Sequence, residues 1–171
     1  KYVKKTAIMK AAQKIERSGR LVQKPAQKEK KVAVSAILMA GGRGSRLGEL
    51  TRNIPKPLLP VDNIPAMSRI LRSLEKSGVR SATIATGYMA DAIENRYRGI
   101  FRSIRLFYSR EKEPLGTAGA VRAAYFDALS KGRIHDVADV MVMSADIIFE
   151  GDLGRLAALH AANSADVTVA A

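Results

Sequence analysis

The chain has 171 residues, 47% of them hydrophobic, enough to bury a core and to argue against wholesale disorder. It contains no cysteine, which removes disulfides, thiolate catalysis and cysteine-bound zinc together; no apolar run reaches the ~18 residues that a membrane-spanning helix needs. The net charge of +13 is uneven, because residues 1–31 hold eleven lysines or arginines against Glu16 and Glu29, which places +9 there.

Within this basic arm, Val3, Ala7, Ile8, Ala11 and Ile15 fall on one helical face, and Ser18-Gly19 would end that helix. Residues 23–31, with Pro25 and four lysines, read as a solvated linker. The arm is expected to be a tail or the last helix of an upstream domain. Its cations could neutralise phosphates, but its only aromatic is Tyr2, so base stacking has little support. Nucleic acid is therefore not an expected partner. The chain begins at Lys1 rather than methionine and shows no charged-then-apolar signal segment. With the lack of cysteine, this leads to an expected cytoplasmic location.

From residue 32 the pattern changes, so residues 32–171 are taken as one region. Residues 32–39 form an apolar run that stops at glycines, as a buried strand would. A helical pattern over 64–76 ends at Ser77-Gly78, and a strand is expected over 81–86. A helix over 90–97, a strand over 104–108 and a helix over 118–129 follow. The last predicted elements are a strand over 140–143, a helix over 153–162 and a strand over 167–170. Five apolar runs alternating with four helices predict an α/β fold with a mainly parallel sheet covered on both faces. No internal repeat is present. In such sheets ligands sit at the carboxyl ends of the strands.

The first loop at such an end holds Gly41, Gly42, Arg43, Gly44, Ser45 and Arg46. Closely spaced glycines let the backbone approach a ligand and turn N–H groups toward an anion, and arginines suit phosphate oxygens. A P-loop would need a Gly-Lys-Ser/Thr ending, which is absent. A dinucleotide fingerprint would need a third glycine where Leu47 stands, and a helix at once, which Pro55, Pro57 and Pro60 forbid. Further on, Lys56 lies between Pro55 and Pro57, on a segment expected to be stiff and extended. Residues 113–120, Glu-Pro-Leu-Gly-Thr-Ala-Gly-Ala, form a second glycine-rich turn at the start of a helix, with Thr117 near its cap. Asp146 follows the strand over 140–143. His135 and His160 have no partners at metal-ligand spacing and read as surface or packing residues.

The order of glycine-rich loop, arginine, Leu50-Thr51, Pro55-Lys56-Pro57 and Leu59-Pro60 resembles the signature of the sugar nucleotidyltransferases. That family includes glucose-1-phosphate thymidylyltransferases and mannose-1-phosphate guanylyltransferases. The resemblance covers residues 33–171 and implies a Rossmann-like three-layer α/β/α fold. It implies an enzyme that joins a nucleoside triphosphate to a sugar 1-phosphate with release of pyrophosphate, with GTP and mannose 1-phosphate the preferred pair. By that resemblance Arg46 would stabilise the leaving pyrophosphate, Lys56 would hold the phosphates of the reacting groups, and Asp146 would bind Mg²⁺. Gly41, Gly42, Gly44, Ser45, Gly116, Thr117 and Gly119 would contact the nucleotide.

Three positions depart from the family pattern. Ser45 stands in place of the usual threonine, Glu49 in place of a common proline, and Ser144-Ala145 precedes Asp146. The alternative is a nucleotide-binding regulatory or scaffolding subunit on the same fold; such relatives typically lose the arginine or the lysine, and this chain keeps both. The family's sugar-binding region and second metal-binding aspartate would lie beyond Ala171. The 171 residues alone are therefore expected to bind a triphosphate without turning it over, and a homo-oligomer is left open.

Overall fold

A computed structural model describes residues 34–134 and 139–170. The expected helix and linker of the arm, and His135, lie outside the described residues. The chain divides into two units, Lys1–Lys30 and Lys31–Ala171.

The second unit is built on a five-stranded sheet. β1 (Ser35–Ala40), β4 (Ser81–Thr86), β6 (Ile104–Arg110) and β7 (Val140–Ser144) run parallel, and β5 (Ile100–Phe101) is antiparallel to β6. The spatial order is β5-β6-β4-β1-β7. The chain winds outward from β1 to β4 and β6, then returns to place β7 on the other side of β1. Such a reversal opens a crevice at the strands' carboxyl ends.

Side-chain alternation on the strands feeds two unequal cores. On one face Ala36, Leu38, Ala82, Ile84, Ile104 and Leu106 meet three helices, α1 (Ala66–Lys76), α2 (Ala90–Tyr97) and α4 (Leu153–Ala162). On the other, Ile37 and Ala85 meet only α3 (Gly116–Ser130) through Ala120 and Ala124. The buried stripe of Ala120, Ala124 and Ala128 repeats every fourth residue, so a small side chain always faces the sheet. The result is a three-layer α/β/α arrangement, mainly parallel, as the sequence predicts.

Local chemistry accounts for the ends of these elements. α1 buries Met67, Ile70, Leu71 and Leu74 on one face and stops at Gly78, whose φ of 92° suits only a residue without a β-carbon. The Asp152 carboxylate caps α4, accepting hydrogen bonds from the N–H groups of Gly154 and Arg155 at 2.9 and 3.1 Å.

The structure corrects two expectations and adds strands that the sequence did not show. The helix expected from Ile64 starts at Ala66, because Ile64 is held extended by the following Pro65. Ile64–Pro65 (β3) pairs antiparallel with Pro60–Val61 (β2), across Asp62 and Asn63, both at positive φ as a tight two-residue hairpin turn demands. The short strand β5 is unforeseen: two residues are too few for a hydrophobic period to register. Residues 167–170 form no strand; Val167 and Val169 are 76% and 79% exposed. A strand exists only through a hydrogen-bonded neighbour, and among the described residues none lies beside them.

Candidate active site

A cleft of about 500 Å³ opens where the carboxyl ends of β1, β6 and β7 converge. Gly41, Gly42 and Gly44 line it from β1, Lys56 from the proline segment, Glu111 from β6, Gly116 and Thr117 from the start of α3, and Ser144 and Asp146 from β7. Five separate stretches of sequence thus meet in one cavity.

Two glycines of the first loop lie close against side chains of other segments. A β-carbon on Gly41 would lie 2.6 Å from Glu111 Oε1, and one on Gly44 would lie 2.7 Å from Lys56 Cγ. Gly44 also has a φ of 69°, a conformation costly for any side chain. Beyond it, Ser45–Thr51 forms a kinked 3₁₀ segment, steadied by Thr51 Oγ1 hydrogen bonds to the carbonyls of Gly44 and Gly48. Thr51 is buried, whereas Ser45, Arg46 and Leu47 are exposed.

Lys56 does not sit on an extended strand as expected. It opens a 3₁₀ turn, Lys56–Leu58, closed by the Leu58 N–H on the Pro55 carbonyl at 2.8 Å. Pro57 fits there because the first turn of a helix needs no N–H from that position. The turn still delivers what the sequence implied, a lysine with a fixed stem. Its ammonium reaches Asp146 Oδ2 at 3.2 Å, and both side chains are about 30% exposed (30% and 27%). The Ser144 hydroxyl donates to the other carboxylate oxygen of Asp146. Burial pushes the Asp146 carboxyl up, but Ser144 and Lys56 outweigh it and hold the group below its ordinary value of 3.8. Asp146 is therefore a carboxylate at neutral pH.

Asp146 offers hard oxygen donors, and Mg²⁺ is commonly held by one or two carboxylates together with substrate phosphates. The donor set fits that mode. It does not form a protein-only cage, since among the described residues no three His, Cys, Asp or Glu cluster at metal-binding distance.

Not every predicted residue faces the cleft. Arg46 and Ser45 are exposed on the 3₁₀ segment, and Gly119 lies one turn into α3, packed against Leu115. None of the three lines the cavity. Glu49 pairs with Arg52 at 3.1 Å on the surface, so its charge is matched by a cation. His160 lies between Thr168 Oγ1, 2.9 Å from its Nδ1, and Asp139 Oδ1, 3.4 Å from its Nε2, a packing role as expected.

Glu111 and Ser144 are site residues that the motifs do not single out. Glu111 bridges the two glycine turns: its Oε1 lies over Gly41, and its Oε2 accepts the Leu115 N–H at 3.2 Å. The available signal was position, since both lie at the carboxyl ends of predicted strands.

The nucleotidyl transferase family matches residues 35–171. Over 137 residues the chain is 33% identical to a D-glycero-alpha-D-manno-heptose 1-phosphate guanylyltransferase of Aneurinibacillus thermoaerophilus, covering 80% of this chain and 56% of that one. It is 32% identical to a mannose-1-phosphate guanylyltransferase of Mycobacterium tuberculosis, covering 80% and 36%. Among solved structures it superposes on UDP-glucose pyrophosphorylase from Acinetobacter baumannii with a TM-score of 0.65 at 19% identity, over 78% of this chain and 54% of that one. HddC from Yersinia pseudotuberculosis complexed with GMP-PN gives 0.59 at 25% identity, over 74% and 54%. The chain spans about half the length of the heptose enzyme (56%) and about a third of the mannose enzyme (36%). By the match to its sequence and the agreement of its fold, this chain belongs to the nucleotidyl transferase family.

Proposed function

We propose that the chain forms the nucleotide-binding part of a sugar-1-phosphate nucleotidyltransferase that uses a guanosine triphosphate and a mannose-type sugar 1-phosphate. The observation that carries this reading is the Lys56–Asp146 pair, 3.2 Å apart in a cleft bounded by two glycine-rich turns. A cation and an anion side by side suit a substrate that brings both phosphate charge and a divalent metal.

In the reaction, a phosphate oxygen of the sugar 1-phosphate attacks the α-phosphorus of the triphosphate. The bond from that phosphorus to the oxygen bridging to the β-phosphorus breaks, and pyrophosphate leaves with the electron pair. No protein nucleophile is needed, so catalysis consists of positioning and charge neutralisation. Lys56 would hold phosphate oxygens of the reacting groups. Gly41, Gly42 and Gly44 would let the triphosphate lie against the main chain, and Gly116 and Thr117 would border the base. Arg46, exposed on the 3₁₀ segment, would reach the leaving phosphates. Asp146 would hold Mg²⁺, which when bound offsets charge developing on the phosphate oxygens.

Guanosine is supported by Glu111 and by the guanylyltransferases among the relatives. A carboxylate only accepts hydrogen bonds, and the Watson–Crick edge of guanine carries adjacent N–H donors. Incubation of the whole transferase, of which this chain would be the nucleotide-binding part, with a panel of triphosphates and sugar 1-phosphates, with pyrophosphate release as readout, tests the reading. Release is expected with GTP and a mannose-type sugar 1-phosphate together, and with neither alone. Absence of release with every pair rules out the transferase, and release with another base overturns the role given to Glu111.

A further inference from the structure

The loop that would receive the triphosphate has little to hold it in shape. Ser45, Arg46, Leu47, Gly48, Glu49 and Leu50 are all exposed, and a segment with few buried contacts opens at low cost. One residue outside the loop touches its beginning, its middle and its end. Tyr88 follows Gly87 at the carboxyl end of β4, and its N–H donates to the Gly41 carbonyl at 3.1 Å. Its hydroxyl lies 3.3 Å from the Thr51 carbonyl and 3.2 Å from that of Arg52, so one proton serves both acceptors. The Arg43 guanidinium sits over its ring, 5.9 Å from the centroid. Gly87 makes this approach feasible, since a β-carbon there would lie 3.0 Å from the Gly41 carbonyl oxygen.

We propose that Tyr88 is a positioning residue that holds the loop over residues 41–52, with Arg43 on its ring, in the shape that accepts a triphosphate. The inference rests on the assignment of that loop to the nucleotide's phosphates. Tyr88 does not line the cleft, so it acts through the loop and not on the substrate. Its backbone contact would survive any substitution that leaves β4 intact, whereas the hydroxyl and ring contacts belong to the side chain. Removing them leaves the loop with Thr51 and its own backbone hydrogen bonds, Leu47 N–H to the Gly44 carbonyl and Arg52 N–H to that of Glu49, and more of the ordering cost then falls on ligand binding.

Two variants separate these contributions. Tyr88→Phe keeps the ring under Arg43 and loses the hydroxyl; Tyr88→Leu loses both. Hydrogen exchange of the amides over residues 45–52 reads loop order without any ligand. Calorimetric titration with a non-hydrolysable GTP analogue and Mg²⁺ reads the consequence for binding. Tyr88→Phe is expected to speed exchange in that segment and raise Kd roughly three- to tenfold, the worth of one lost hydrogen bond. Tyr88→Leu should raise Kd further, and Tyr88→Phe should melt within a degree or two of the parent. Unchanged loop exchange and unchanged Kd in Tyr88→Phe and Tyr88→Leu overturn the proposal. A Kd that rises only with a general loss of protection across the sheet also overturns it, because Tyr88 would then be a fold residue. Should the unaltered chain bind no triphosphate, the assignment of the loop fails, while the exchange data still decide whether Tyr88 orders it.

Discussion

At the scale of single residues, Lys56 and Gly44 are interlocked. The lysine stem passes beneath a glycine whose left-handed φ leaves no room for a β-carbon. Gly44→Ala is expected to cost roughly 1–2 kcal/mol from backbone conformation alone. It should also displace the Lys56 ammonium from Asp146, so triphosphate affinity should fall along with the melting temperature, which roughly 1–2 kcal/mol would lower by several degrees. Paired thermal melts and titrations check this, and unaltered affinity would show that the loop tolerates the displacement. Lys56→Ala removes the cation itself. If the ammonium offsets charge that redistributes during transfer, turnover of the whole transferase should fall about a hundred- to a thousand-fold, as for loss of one preorganised donor. The Michaelis constant should rise less. Arg46→Ala, assayed beside it, decides whether this exposed arginine acts on phosphate; near-normal turnover would remove it from the chemistry.

At the scale of elements, the three-helix face contains a polar tie inside an apolar layer. Ser68 on α1 and Tyr97 on α2 share a hydrogen bond of 2.8 Å, and the residues are 7% and 6% exposed. Burial pushes the Tyr97 phenol up and outweighs the opposing Ser68 contact, so it stays protonated through the neutral range. Tyr97→Phe would strand the Ser68 hydroxyl without a partner. We expect a loss of about 1–3 kcal/mol, the cost of a buried unsatisfied group, and recovery of much of it in the Ser68→Ala/Tyr97→Phe pair. Chemical denaturation of the four proteins forms a double-mutant cycle, and strict additivity would show that the hydroxyls do not depend on each other. The same layer explains why boundaries were harder to read than elements. Ile64 carries the helical period of α1 but obeys Pro65 and joins a hairpin. The hydrophobic period speaks for burial, not for the backbone conformation of its first residue.

At the scale of the whole molecule, charge and core are separated along the chain. Every residue of the two described cores lies between Ala36 and Leu153, whereas most of the net positive charge precedes residue 32. Deleting residues 1–30 is therefore expected to leave the melting temperature and triphosphate binding unchanged. A docked arm would instead show itself as a loss of about 1.5–3 kcal/mol for each fully buried apolar side chain such as Ile8 or Ile15. Thermal melts of the whole and shortened chains distinguish the two.

Elements that rest on local chemistry could be read from the sequence. The apolar run of β1, the helical face of α1 and the Ser77-Gly78 stop are short-range patterns, and the structure contains them. The glycine loop, the second glycine turn and Asp146, at predicted strand or helix ends, and Lys56, between two prolines, were also singled out, and the structure gathers them around one cleft. What the sequence could not decide depends on partners distant in the chain. Residues 167–170 look like a strand by composition, yet among the described residues no strand pairs with them. Lys56 reads as extended between prolines, yet a carbonyl of Pro55 closes it into a turn that aims it at Asp146, ninety positions away. Glu111 and Tyr88 carry no motif, only a position after a predicted strand. They matter because parallel pairing of β1, β4 and β6 brings their ends beside the first loop, and only the tertiary fold creates that adjacency.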